Sequence, residues 1–299
     1  MSTQPENIFE KACLIQLTTS VWSASKSVDP VLFEHAGQNS DWIKGRKFLI
    51  NPELLGQIKT AAHQARNKVR KYALPFPIHS VQLVPKEYVS TIEDILVHQE
   101  ERFWDRVSEF EGMYAQAREE AKEVLGNLFN ETDYPVDIRR KFKFGWQFLA
   151  LQVPTQASIL SPEIYEKERI KFENLMQETQ DLCMQALRSE FAGLLHELTE
   201  KLGSNGDRPK KIVSNSMFNK LNEFFCELQT KNIFEDEELT QLAEQAKQAI
   251  THVSPASLKY NEQARQQIKN EMQQLQEAVN QSIIDLPRRQ IRFDQEVVA

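Results

Sequence analysis

Between Pro85 and Phe129 no proline interrupts the chain, and apolar residues keep a seven-residue repeat. Leu96, Phe103, Phe110, Ala117 and Val124 form one row, and Val107, Tyr114, Ala121 and Leu128 form the other. Charged residues fill the positions between them, as the seam of a coiled coil requires. A continuous helix over this run extends about 65 Å at about 1.5 Å per residue. That length predicts a helix that projects and needs a partner. The partner predicted from sequence is a second uninterrupted run, Pro162 to Leu202. Ser161 caps it, and its stripe is Phe172, Leu175, Leu182, Ala186, Phe191, Leu194, Leu198 and Leu202. The two runs together predict a long antiparallel helical hairpin.

The segments around this hairpin define three regions. In 1–84, "CLIQLTTSVWSAS" and "IHSVQLV" are β-branched, apolar segments with polar bounds and are predicted as strands. Between them lies a helix that opens at Asn51, a plausible N-cap, with Pro52 at its first position. Its apolar residues Leu55, Ile58, Ala62, Ala65, Val69 and Tyr72 step by three and four, and Pro75 and Pro77 end it. Region 85–203 holds the hairpin and an intervening strand. "GSNGDRPKK", Gly203 to Lys211, is the polar break before 204–299. That last region contains three further helices and an irregular or extended tail, "DLPRRQIRFDQEVVA".

Composition narrows the class. Only nine glycines occur in 299 residues, few for an open dinucleotide fold or a barrel. Hydrophobic residues make up 40% and charged residues 26%, as in folded soluble chains. Cys13, Cys183 and Cys226 have no paired spacing, which supports neither a disulfide framework nor a zinc knuckle and fits a reducing, cytoplasmic setting. The first residues lack the pattern of a signal peptide, and no apolar run approaches the roughly 20 residues needed to span a bilayer.

The strand between the two long runs, "RRKFKFGWQFLALQVP", sets Phe142, Phe144, Trp146 and Phe148 at alternate positions. Aromatics so spaced could stack nucleic-acid bases. The opposite face is itself apolar toward Leu149, Leu151 and Val153, and the other strands offer no matching aromatic set. A core strand packed against its neighbouring strands is the preferred reading.

Catalytic patterns are missing: no phosphate-binding Gly-rich loop, nucleophile elbow or His-Glu-x-x-His helix occurs. His98 and Glu101 lie one turn apart, but a solvated helix face accounts for them. Glu235, Asp236, Glu237 and Glu238 open a helix, where negative charge complements the dipole. Gly203 and Gly206 faintly match a backbone clamp but lack its sheet, so a linker is preferred. No catalytic residue, cofactor or metal site is assigned, and the chain is read as a non-enzyme.

Charge gives the one candidate surface. The net charge is −7, but Asp41 to Lys71 carries eight Lys/Arg against two acids. Lys86 to Glu131 carries five bases against twelve acids. Lys59, His63, Arg66 and Arg70 form one stripe beside the apolar face of their helix, with Arg46 and Lys47 nearby. These cations are candidate contacts either for phosphates or for an acidic protein surface, including the chain's own long helix. The negative net charge favours protein.

Several stretches also resemble one family: "TTSVWSASKSVDP", "GRKFLINPELLGQIKTAAHQARN", "FNETDYPVDIRRKFKFGWQF", "SMFNKLNEF", "NIFEDEEL" and "DLPRRQIRF". They resemble uncharacterised bacterial proteins carried by phages, plasmids and integrative conjugative elements. Such proteins are encoded near a MoxR-type AAA+ ATPase and a protein with a von Willebrand factor A domain, and the family supplies no catalytic residues. The resemblance implies an adaptor or scaffold in an ATPase-based system of a mobile element, with a homo-oligomer also open. The alternative is a nucleic-acid-binding protein of recombination or DNA maintenance that uses the basic helix. The predicted fold is α+β, mainly α: the helical hairpin on a small antiparallel sheet (Leu14–Trp22, Ile78–Val84 and Phe142–Val153), plus C-terminal helices.

Overall fold

The proline-free run forms one helix of 37 residues, Val89–Leu125. The structure, a computed structural model, describes residues 8–28, 45–151, 160–203, 215–251, 253 and 255–284. In chain order the helices are α1 (Ile8–Lys11), α2 (Gly56–Tyr72), α3 (Val89–Leu125), α4 (Pro162–Leu202), α5 (Asn215–Lys231), α6 (Glu237–Thr251), α7 (Pro255–Tyr260) and α8 (Glu262–Ile284). The strands are β1 (Ala12–Ser20), β2 (Ser25–Ser27), β3 (Arg46–Phe48), β4 (Leu74–Pro75), β5 (Val81–Pro85) and β6 (Lys143–Leu149). The fold is α+β and mainly α. Among the described residues no helix is long and apolar enough to cross a membrane.

The chain divides into two compact units, neither continuous in sequence. One comprises Cys13–Tyr72 and Glu87–Leu149; the other comprises the described parts of Met1–Ala12, Ala73–Lys86 and Ala150–Ala299. This division cuts across the three consecutive regions 1–84, 85–203 and 204–299, because the helix at 56–72 joins the first long helix and the segment at 73–86 joins the second.

In the first unit, β1 runs antiparallel to β6, with Leu14 opposite Leu149 and Ser20 opposite Lys143. The short pair β2–β3 sets Ser25 against Phe48 and Lys26 against Lys47. Helix α2 packs on α3. Three alanines on the buried face of α2, Ala61, Ala62 and Ala65, permit a close approach. Asn51 caps the turn that leads into α2, its Oδ1 accepting from the Glu53 N–H at 3.0 Å. The heptad rows are buried from Ile92 through Ala121. Burying one such phenylalanine stabilises the fold by about 1.5–3 kcal/mol relative to leaving it exposed. Beyond Ala121 the seam stops: Val124 is 85% exposed. Gly126 then ends the helix with φ of 49°, where a glycine avoids the Cβ clash of left-handed backbone.

The aromatic strand closes this core. Phe142 lies 5.9 Å from Phe110 and Phe144 lies 5.3 Å from Phe103, centroid to centroid. Trp146, half-buried, donates from Nε1 to Glu93 Oε2 at 2.6 Å. A core role is therefore correct, but the wall these rings face is helix α3 rather than other strands. The strand ends at Leu149, short of the predicted Val153: Ala150 and Leu151 are not strand, and Gln152 and Val153 lie outside the described residues.

In the second unit, α4 packs along α8, and α5, α6 and α7 complete the helical core. Phe191 of α4 stacks on Phe224 of α5 at 5.1 Å with an interplanar angle of 2°. Strand β4 pairs antiparallel with β5, Leu74 opposite Leu83, and α4 covers it. The buried Cys183 thiol donates to the Pro75 carbonyl at 3.4 Å, and burial pushes its pKa up. Ser161 caps α4 as predicted, accepting from the Ile164 N–H at 3.3 Å.

Two sequence-based expectations are corrected here. The long helices were predicted to pair with each other, yet α3 takes α2 as its main partner and α4 takes α8. The apolar stripe of α4 is also shifted: Cys183, Leu187 and Leu195 are buried where Leu182, Ala186 and Leu194 were expected. Apolar residues sit side by side at these places, so periodicity alone does not choose between them. The break Gly203–Lys211 and the tail after Ile284 lie almost wholly or wholly outside the described residues.

Candidate docking surface

Five cations were singled out in sequence, and tertiary structure separates them into two groups. Lys47 and Arg66 are used inside the first unit. On the β2–β3 pair Lys26 stands opposite Lys47, a like-charge pair that is unfavourable in isolation. Asp133 resolves it: its Oδ1 receives Lys26 Nζ at 2.5 Å and its Oδ2 receives Lys47 Nζ at 2.7 Å. The Asp133 side chain is only 2% exposed, and the two ammonium donors hold its carboxyl below the usual range. Lys47 also donates to the Leu128 carbonyl at 2.6 Å, which ties this strand pair to the chain just past the end of α3. It is a structural lysine.

Arg66 turns inward as well. It donates to the Thr19 carbonyl at 3.3 Å and to the Thr19 hydroxyl. Its place on the helix is not what sets it apart: Ala62 at i−4 and Val69 at i+3 are buried, but Leu55 and Ala62 flank Lys59 in the same way. Arg66 is the member of the stripe within reach of Thr19, so it is half-buried with its head on β1.

Lys59, His63 and Arg70 remain exposed on α2. Among the described residues neither Lys59 nor Arg70 has an ion pair, so the stripe does not dock onto the acids of α3 as one reading had it. The helix meets α3 with its apolar face instead. Lys59 and Arg70 stand about 16 Å apart along the axis, from eleven residues at about 1.5 Å each. Arg46 is exposed on β3. The result is a solvent-facing cationic row on a helix whose other face is fixed, and it is sparser than the sequence suggested.

The remaining candidates resolve as structure. His98 Nδ1 lies 3.7 Å from Glu101 Oε2 on an open face of α3, with both side chains well exposed. The acids at 235–238 do open α6. The Leu239 N–H donates to Asp236 Oδ1 at 3.0 Å, as an N-cap requires. Sequence reasoning missed what else Asp236 does. It forms a bidentate pair with buried Arg188 of α4, at 2.8 Å to Nε and 2.9 Å to the second terminal nitrogen. Arg188 also donates to the Ser282 carbonyl at 2.8 Å and lies 3.0 Å from Glu238. One guanidinium therefore joins α4, α6 and α8. No local signal marks Arg188, which sits among ordinary helix residues.

The chain matches no family model, no curated protein and no solved structure.

Proposed function

We propose that the protein is a non-enzymatic adaptor or scaffold that docks an acidic protein surface through Lys59, His63 and Arg70 of α2. Its partner is a MoxR-type AAA+ ATPase, or a von Willebrand factor A domain protein working with that ATPase, in a system carried by a phage or other mobile element. The observation that supports this reading is Lys59 and Arg70, exposed and without an ion pair among the described residues, on a helix already anchored on its other face. Cations carried on a packed helix steer and orient an acidic partner without any backbone having to be ordered on binding. The sparse row argues against the nucleic-acid alternative. A phosphate track draws affinity from each neutralised phosphate, and two candidate cations, Lys47 and Arg66, are spent within the fold.

The test is a pull-down from cells expressing the protein at native level, compared with Lys59→Glu combined with Arg70→Glu. Arg66 is left intact because it is bonded to Thr19 of β1 within the fold. The double variant should melt as the unmodified protein does and lose the ATPase or its companion. Submicromolar binding of DNA or RNA near 150 mM salt, abolished by the same change, would replace the adaptor with the nucleic-acid reading.

A further inference from the structure

Within the second unit, α5 and α6 leave a groove of about 490 Å³ between them. Its floor is Phe225, Leu228 and Ala243, and the small Ala243 side chain opens the space. Along one wall α6 presents Glu237, Gln241, Glu244 and Lys247, all exposed. These lie at i, i+4, i+7 and i+10 and so share one face. Glu237 and Glu244 are about 10 Å apart along the axis, from seven residues at about 1.5 Å each. Glu235 adds a third acid at the mouth, held there by a non-glycine φ of 57°. The order along α6 is therefore acid, acid, base.

Glu237 and Glu244 are open to a cation. Glu237 makes no ion pair among the described residues, and Glu244 accepts a neutral amide from Gln248 at 3.2 Å. Glu235 shows the chemistry in miniature, because Lys11 of α1 already reaches it at 2.9 Å.

We infer that this groove docks a cationic amphipathic helix of a protein partner. Two Lys or Arg residues seven apart on that helix meet Glu237 and Glu244, and a Leu-sized side chain midway between them covers the Phe225–Leu228 floor. An acidic residue one turn beyond the second cation meets Lys247. This surface lies in the other unit from the α2 stripe and does not depend on the reading of that stripe. The opposite charge of the two surfaces suits them to different partners.

The test uses the full chain and a labelled synthetic helix carrying Lys at positions 1 and 8, Leu at 4 and 5 and Glu at 11. A scrambled peptide of the same composition is the control, and fluorescence anisotropy is read at 150 mM salt. The ordered peptide should bind at least tenfold more tightly than the scrambled one. Glu237→Lys with Glu244→Lys should weaken it at least tenfold. Gln241→Trp, which fills the groove from an exposed position, should do the same without changing the melting temperature. Equal binding of both peptides, or unchanged affinity in both variants, overturns the proposal. So does self-association of the protein that the double variant abolishes, since the groove would then belong to a second copy of the chain.

Discussion

Helices α3 and α4 are similar in length, 37 and 41 residues, but are held together differently. In α3 the buried rows run from Ile92 to Ala121, almost end to end. In α4 burial begins at Thr179, and the stretch Pro162–Glu178 contains no buried side chain. Ile164 and Ile170 there are 48% and 47% exposed. What that stretch has instead is charge pairing one turn apart. Arg169 bridges Glu166 and Glu173 at 2.5 Å each, and Lys171 reaches Glu168 at 2.6 Å. Isolated helices gain a few tenths of a kcal/mol from each such pair, and packing contributes several times more per buried side chain. A long helix read from sequence can thus rest on either kind of support, and the two differ in what breaks them.

The largest expected effect tests this contrast directly. Phe110→Asp places a charge among Tyr114 and Phe142 in the α3 seam and should destabilise the protein by on the order of 4–5 kcal/mol. Ile170→Asp, the same chemistry on the open part of α4, should stay within about 0.5 kcal/mol. Thermal melts followed by circular dichroism decide it. Similar losses in both variants would mean that the open stretch of α4 is covered after all.

A smaller effect concerns the end of α3. The folded pKa of Asp133 is lowered by Lys26 and Lys47. The carboxylate therefore stabilises the protein above its unfolded value, about 3.9. That contribution is lost as pH falls from about 4 towards the lower folded value. Asp133→Asn should cost about 1–3 kcal/mol at pH 7, the range for hydrogen bonds to charged groups. Its stability should converge with that of the unmodified protein in acid. A constant gap across the acid range would show that the carboxylate charge is irrelevant.

The smallest effect belongs to the charge pairs of α4. Arg169→Ala should speed amide hydrogen exchange along 166–178 at low salt and leave the melting temperature unchanged. The difference should fade near 1 M salt, where the screening length is about 3 Å. Persistence at high salt would point to packing rather than charge.

Local signals in the sequence determined helices α2 to α6, the helix caps at Asn51 and Ser161, the buried rows of α3 as far as Ala121 and the inward face of Phe142 and Phe144. Each depends on hydrogen bonds or periodicity within a few residues, so the residues themselves carry the information. Helix α1 was not marked, and the last run, expected as one helix, is two, α7 and α8. The partners of α3 and α4, the phase of the α4 stripe and the fate of the basic residues were decided only by tertiary structure. Leu194 and Leu195 are equally apolar neighbours, and only the elements packed on α4 select which is buried. Lys47 looked like a free cation until Asp133, far along the chain, came to lie between it and Lys26. Arg66 and Lys59 have buried neighbours at the same helical offsets, and it is Thr19 of β1 that draws Arg66 inward. The seam of α3 was legible as a seam, but what fills it was not, because an apolar row specifies burial without naming the surface that covers it.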